Sequence, residues 1–147
     1  MDVIFDIDGT LLDISHRLHL VRKKPPDWKE FRNPAQKRWD EPRLPVIKVA
    51  VALQEAGHGV LLFTARMESE RADTLQSLSR FFDPMPFLCM RKDEDYRPDT
   101  EVKAEMLELL RNQGFNPVMV FDDRPSVIRM WKENGLTVAD VGNGVEF

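Results

Sequence analysis

Three times along the chain, an amphipathic stretch of helical period runs into one glycine and then into an unbroken apolar run. The first is Val46 to Ala56, Gly57 and Val60-Leu61-Leu62-Phe63. The second is Glu101 to Gln113, Gly114 and Val118-Met119-Val120-Phe121. The third is Ser126 to Asn134, Gly135 and Thr137-Val138-Ala139. Glycine just past a helix marks a left-handed C-terminal cap. Strands that are apolar throughout, rather than alternating, belong to a sheet covered on both faces. Helix alternating with strand requires parallel pairing through right-handed crossovers. The pattern predicts a doubly wound, Rossmann-like α/β fold with five parallel strands at 3–7, 60–64, 86–90, 118–122 and 137–141. Helices are expected near 46–56, 69–81, 101–113 and 126–134. A chain of 147 residues fits one such domain, 1–147, with a single sizeable core.

Ligands of these sheets bind beyond the strand C-termini, where strand order reverses. The first predicted strand, Val3-Ile4-Phe5, runs directly into Asp6-Ile7-Asp8-Gly9-Thr10. Residues two apart on a strand share a face, so Asp6 and Asp8 are expected side by side at the strand's end. Gly9 and Thr10 then turn the chain away without a bulky side chain over the site. From average residue usage, D-x-D-G-T arises by chance on the order of once per hundred thousand positions. One carboxylate to attack phosphorus and a second to move protons are the parts of phosphoryl transfer.

Other predicted strand ends bring polar groups to the same edge: Thr64-Ala65-Arg66, Arg91 and Asp122-Asp123. A cap on the following helix, which opens at Pro125, would by itself explain Asp122 and Asp123. Beside Asp6 and Asp8 that reading weakens, because carboxylates about 4 Å apart repel by roughly 4 kcal/mol at an effective dielectric of 20. Several carboxylates in one crevice need a cation. Hard oxygen donors without His or Cys favour Mg²⁺, which aligns and neutralises a phosphate. Thr64 offers a hydroxyl to phosphate oxygens and Arg66 a planar multi-donor cation. Lys103 is expected in the first turn of its helix, where a positive charge opposes the dipole, and that placement also points to function.

The remaining composition narrows the setting. No apolar run approaches the ~20 residues that span a bilayer, and the first twenty residues lack a signal-peptide core. The single cysteine, Cys89, sits in an apolar run and reads as a small core residue, which fits a reducing cytoplasm. The three histidines show no metal-ligand spacing with one another.

Taken in order and spacing, D-x-D-G-T, Thr64-x-Arg66, Lys103 and Asp122-Asp123 closely resemble the haloacid dehalogenase-like phosphatases. The resemblance covers the chain apart from about residues 13–44. It implies that Asp6 is the nucleophile of an aspartyl-phosphate intermediate and Asp8 the general acid and then base. It also implies that Asp6, the Asp8 backbone carbonyl and Asp122, assisted by Asp123, hold Mg²⁺. Thr64 and Lys103 would bind phosphate oxygens, with Lys103 also steadying Asp6. A narrower likeness rests on His16-Arg17, Asp27-Trp28-x-x-Phe31, Thr64-Ala65-Arg66, Arg97-Pro98-Asp99 and the stretch Phe121 to Trp131. These look like the phosphatase domain of phage polynucleotide kinases, which removes 3′-phosphates from nucleic-acid ends. That likeness extends the substrate contacts to Gly9, Thr10, Arg17, Ala65, Arg66 and Asp99. No G-x-x-x-x-G-K-[ST] phosphate loop occurs, so a kinase or ligase partner would have to be separate or elsewhere in a longer chain.

The substrate is addressed by the insertion. Between Ile14 and Lys48 stand ten Lys or Arg against four acids, a surplus of six in a chain whose total is −4. A basic segment on an acidic body suits an anionic polymer, DNA or RNA. Trp28, Phe31 and Trp39 lie among those charges and either stack bases or pack the insertion onto the core. Arg22, Lys23 and Lys24 are candidate backbone-phosphate contacts. Some thirty residues make a small flap at most, not a large cap over the site. A free-nucleotide phosphatase and a noncatalytic nucleic-acid-binding module are the competing readings.

Overall fold

The computed structural model describes all 147 residues. Five parallel strands form the central sheet: β1 (Asp2–Asp6), β4 (Gly59–Met67), β5 (Phe87–Arg91), β6 (Pro117–Asp122) and β7 (Thr137–Asp140). Their spatial order is β5-β4-β1-β6-β7, with β1 at the centre. Strand order therefore reverses at β1, and the C-terminal ends of β1, β4 and β6 meet at one edge.

Both faces are covered, as unbroken apolar strands require. Successive side chains alternate between the faces. Val3 and Phe5 of β1, with Val60 and Leu62 of β4, pack against Val46, Ile47 and Ala50 of α4 (Leu44–Glu55) and Leu78 of α5 (Arg71–Leu78). Ile4, Leu61, Phe63 and Val120 face the other way. They meet α6 (Asp99–Asn112) through Leu107 and Leu110, and α7 (Pro125–Glu133) through Val127 and Trp131. The glycines that close α4, α6 and α7 all take left-handed φ values, 88°, 96° and 85°.

The elements differ from their sequence boundaries in ways that bear on the site. β1 ends at Asp6, so Asp8 lies in the following turn, where Thr10, Leu11 and Leu12 donate backbone hydrogen bonds to the Ile7 carbonyl. The two aspartates accordingly do not share a strand face. Helix α5 begins at Arg71 after one 3-10 turn, Glu68–Glu70. Helix α6 starts at Asp99 behind Pro98, which sets Lys103 one turn inside rather than in the first turn.

The insertion is built from four-residue helices, α1 (His19–Arg22), α2 (Trp28–Phe31) and α3 (Pro34–Lys37). A two-stranded antiparallel ribbon, β2 (Leu12–Asp13) with β3 (Glu41–Pro42), ties it down. Its own core is small: Ile14, Leu20, Val21 and Phe31. No helix is long and apolar enough to cross a membrane.

Candidate active site

Asp6 is the last residue of the central strand and is nearly inaccessible, at 5%. Lys103 reaches it from α6, its Nζ donating to Asp6 Oδ1 at 2.7 Å and to Asp122 Oδ2 at 3.1 Å. Helix α6 packs on the sheet through Leu107 and Leu110, and a residue one turn earlier on that face lands at the strand ends. The Thr10 hydroxyl donates to Asp6 Oδ2 at 3.1 Å and Asp123 Oδ1 at 3.4 Å. Asp122 ends β6. Its Oδ1 accepts the backbone N–H groups of Asp123 (2.9 Å) and Arg124 (3.2 Å), and its Oδ2 accepts Trp131 Nε1–H at 3.0 Å. Asp6, Asp122 and Asp123 bring carboxylate oxygens within 4.8 Å of one another.

One ammonium does not neutralise three carboxylates. Burial, then the charges of Asp122 and Asp123, push the Asp6 carboxyl well above its usual range despite Lys103. Burial, then Asp122, push Asp123 up to about 6. For Lys103, burial alone would lower the ammonium, but Asp122 and Asp6 overcome it and hold the group protonated. A triad of hard oxygen donors with surplus negative charge fits a small divalent cation such as Mg²⁺.

Asp8 lies in a different environment. Arg66 grips it with two hydrogen bonds, Nε to Oδ2 at 2.9 Å and Nη2 to Oδ1 at 2.6 Å, and Arg17 Nη2 adds a third at 2.9 Å. Burial alone would raise this carboxyl, but Arg66 with Arg17 and Lys37 overcomes it and holds Asp8 ionised far below the usual carboxylate range. The D-x-D pair is thus split: Asp6 belongs to the acidic triad and Asp8 faces the arginines.

Those arginines are held by a residue that no sequence motif marked. Asp40, whose side chain is 1% exposed, accepts from Arg17 Nε and Nη2 at 2.8 Å each, from Arg66 Nη2 at 3.1 Å and from His16 Nε2 at 2.8 Å. Arg17 itself is fully buried, donates to the Phe31 carbonyl and stacks over the Phe31 ring at 4.4 Å. The insertion therefore delivers Arg17, Lys37 and Asp40 to the site. Its basic surplus is not one solvated face: Lys37 is buried against Glu70, and Arg43 ties down the Gly9 and Val141 carbonyls.

Asp6, Asp8, Arg17, Ala65, Arg66, Lys103, Asp122 and Asp123 all line one cavity of about 60 Å³, joined by Asp99 and Arg124. Asp99 is engaged by Arg91 and by Arg124 Nη1 (2.6 Å), so it anchors arginines. Three expected contacts stand behind the cavity wall. Thr64 is 1% exposed and its hydroxyl accepts the Arg66 N–H at 3.0 Å. Thr10 is fully buried and orients Asp6 and Asp123. Gly9, at φ 88°, has no side chain because a Cβ there would overlap the Asp123 carboxylate. Cys89 is half-buried against the core on the α6–α7 side, and burial pushes its thiol up to about 11.

The polynucleotide kinase PNKP phosphatase domain is the family whose model matches this chain, over residues 1–146. A protein of Autographa californica nuclear polyhedrosis virus, named as a bifunctional polynucleotide kinase/RNA ligase, is 28% identical over 133 residues, 89% of this chain and 18% of its own. A chain of the Pnkp1/Rnl/Hen1 RNA repair complex superposes with a TM-score of 0.78 at 28% identity, covering 97% of this chain and 42% of that one. The class C acid phosphatase of Bacillus anthracis shares the fold, with a TM-score of 0.62 at 16% identity, over 97% of this chain and 66% of its own. This chain thus spans a fifth of the viral relative and less than half of the repair-complex chain. A D-x-D-G-T strand end, a buried Lys103, a paired-aspartate strand end and a match along nearly the whole length agree: the chain belongs to the PNKP phosphatase domains, within the haloacid dehalogenase-like phosphatases.

Proposed function

We propose that this domain hydrolyses terminal 3′-phosphates of polynucleotides through an aspartyl-phosphate on Asp6, with Mg²⁺ held by Asp6, Asp122, Asp123 and the Asp8 backbone carbonyl. The observation that carries the reading is Asp6 at the sheet's switch point, fixed by Lys103 and facing a cavity of only about 60 Å³ whose wall sets Arg17, Arg66 and Lys103 beside the acidic triad. Such a space admits a few waters or one small anion. A terminal phosphate fits it, and the remainder of the substrate stays outside.

Mg²⁺ would supply positive charge against the phosphate and the acidic triad. The protein's own groups do the rest. Lys103 holds Asp6 Oδ1 so that one carboxylate oxygen stays directed at phosphorus. As the Asp6–phosphorus bond forms and the phosphorus–O3′ bond breaks, the leaving oxygen takes a proton from Asp8. A water deprotonated by Asp8 then releases phosphate and regenerates Asp6. Asp8 is ionised while Arg66 and Arg17 grip it. An arriving phosphate dianion competes for these guanidiniums, and Asp8 then takes up a solvent proton, passes it to the leaving oxygen and regains one from the water that attacks the intermediate.

RNA is the first polymer to try, because the relatives' names place them with RNA ligation and RNA repair. By the same reasoning the domain works beside a kinase or ligase acting at the same break. Phosphate release is measured on a 3′-phosphorylated oligonucleotide, its 5′-phosphorylated counterpart and a nucleoside monophosphate, with and without Mg²⁺. The 3′-phosphorylated oligonucleotide is expected to be the preferred substrate. Preference for the mononucleotide overturns the polymer reading.

A further inference from the structure

The catalytic cavity opens into a larger groove of about 560 Å³, whose wall shares Trp28, Arg32, Asp99 and Arg124 with it. We propose that this groove is the track for the single-stranded nucleotides on the 5′ side of the terminal phosphate, with Trp28 and Tyr96 as stacking platforms and Arg32 as the backbone-phosphate contact. The inference rests on the phosphatase reading for its direction, since the small cavity takes the terminal group and the groove is the continuous space next to it.

Two aromatic rings face solvent along this groove. Trp28, on α2, is 42% exposed, and Tyr96, on the loop after β5, is 76% exposed. The Tyr96 loop is not slack. Arg91 is buried beneath it and donates to the carbonyls of Asp95 (2.9 Å) and Arg97 (2.6 Å), so the ring is presented from a held backbone. Trp28 is likewise supported, edge-on against Phe31 at 5.7 Å. Rings held this way lose little entropy when a base stacks on them. Stacking is sequence-tolerant because every base has a π-face.

The cations differ in what already occupies them. Arg17, Arg66, Arg91 and Arg124 all donate to carboxylates. Arg32 has no hydrogen-bond or ion-pair partner and lies over the Trp28 ring at 5.6 Å, at the junction of cavity and groove. A guanidinium at that junction is placed to take a backbone phosphate next to a stacked base. At the far end Arg97 is neutralised by Asp95 and Glu105. Beyond it the groove passes to a face of α6 carrying Glu101, Glu105 and Glu108, which repels a polyanion. The track is therefore short. Bases must be unpaired to use it, because stacking on protein rings replaces stacking within a duplex.

This separates two tryptophans that the sequence alone treats alike. Trp39 is 66% exposed beneath Arg38 but borders neither space, and neither do Arg22, Lys23 and Lys24. The test is binding of a 5′-labelled, 3′-hydroxyl oligonucleotide, the reaction product, followed by fluorescence anisotropy. Trp28→Ala and Tyr96→Ala are each expected to weaken binding roughly ten-fold, whereas Trp39→Ala leaves it unchanged. Arg32→Gln is expected to lower the slope of log K against log salt by about 0.7. Equal binding by wild type, Trp28→Ala and Tyr96→Ala overturns the track, as does equal loss in Trp39→Ala or no product binding at all. Product binding does not depend on turnover, so a domain that bound in this way yet released no 3′-phosphate would sink the phosphatase reading and leave the track standing.

Discussion

Asp40→Asn is the substitution that most sharply probes the arginine half of the site. Asp8, Asp40, Arg17 and Arg66 form a buried cluster in which two carboxylates balance two guanidiniums. Asparagine keeps the shape but turns one oxygen into an NH₂ group. Whichever way the amide lies, that group faces two donors: Arg17 Nε and His16 Nε2, or Arg17 Nη2 and Arg66 Nη2. A hydrogen bond to a charged group contributes about 1.5–3 kcal/mol, and removing one partner of a buried pair costs about 3–5 kcal/mol. Arg17 keeps Asp8 and the Phe31 carbonyl and Arg66 keeps its two bonds to Asp8, which puts the expectation near the low end, about 3 kcal/mol. For a domain of this size that lowers Tm by roughly 6–12 °C. The assay is urea unfolding with and without inorganic phosphate. The uncompensated positive charge should make phosphate stabilise the variant more than the wild type. A loss below about 1 kcal/mol, or equal stabilisation by phosphate, refutes the charge-balanced cluster.

Trp131→Phe removes the Nε1–H that holds Asp122 Oδ2 and is expected to cost about 1.5–3 kcal/mol in urea unfolding, with weaker Mg²⁺ binding by calorimetry. Gly9→Ala forces a Cβ into the Asp123 carboxylate at a left-handed φ, at a cost of roughly 1–3 kcal/mol, and should impair Mg²⁺ binding more than removal of an exposed side chain such as Trp39. The carboxyls of Asp6 and Asp123 titrate higher folded than the usual ~3.9 of an unfolded aspartate. For Asp123 the stabilising contribution is full below about pH 4 and is lost as pH rises through about 6, with Asp6 acting in the same direction, so without metal the unfolding free energy should fall across that window. Added Mg²⁺ should stabilise progressively more over the same range, and Asp123→Asn should flatten the slope. Asp8 acts in the opposite sense: its carboxyl is held low, so its contribution is present above the unfolded range and lost in stronger acid.

The half of the site that hangs on strand ends was legible in the sequence because buried apolar runs announce where strands stop. Asp6, Asp122 and Asp123 follow such runs directly, and Lys103 sits on a helix whose apolar face fixes its orientation. The other half was not. Asp40 lies between the short helix α3 and the two-residue strand β3 in a segment with no apolar period, and its partners stand 23 to 26 residues away along the chain. Four-residue helices are fixed by caps such as the Asp27 and Asn33 side chains and by tertiary packing, not by periodicity. The charge count of the insertion was readable, but its division into buried and free cations was not. Arg17 and Lys37 turn inward against carboxylates, whereas Arg32 remains unpaired. Trp131 was visible in the motif after Asp122-Asp123, but the hydrogen bond that orients Asp122 depends on α7 crossing back over β6.

The proposed chemistry stands or falls on Asp6. An oligonucleotide carrying a radiolabelled 3′-phosphate is mixed with excess protein and Mg²⁺, quenched in acid within a single turnover, and the protein is digested and mapped. The label is expected on the peptide containing Asp6, bound as an acyl phosphate, and absent in Asp6→Asn. Label passing to free phosphate without ever residing on Asp6, or appearing on another residue, would contradict covalent catalysis by this site.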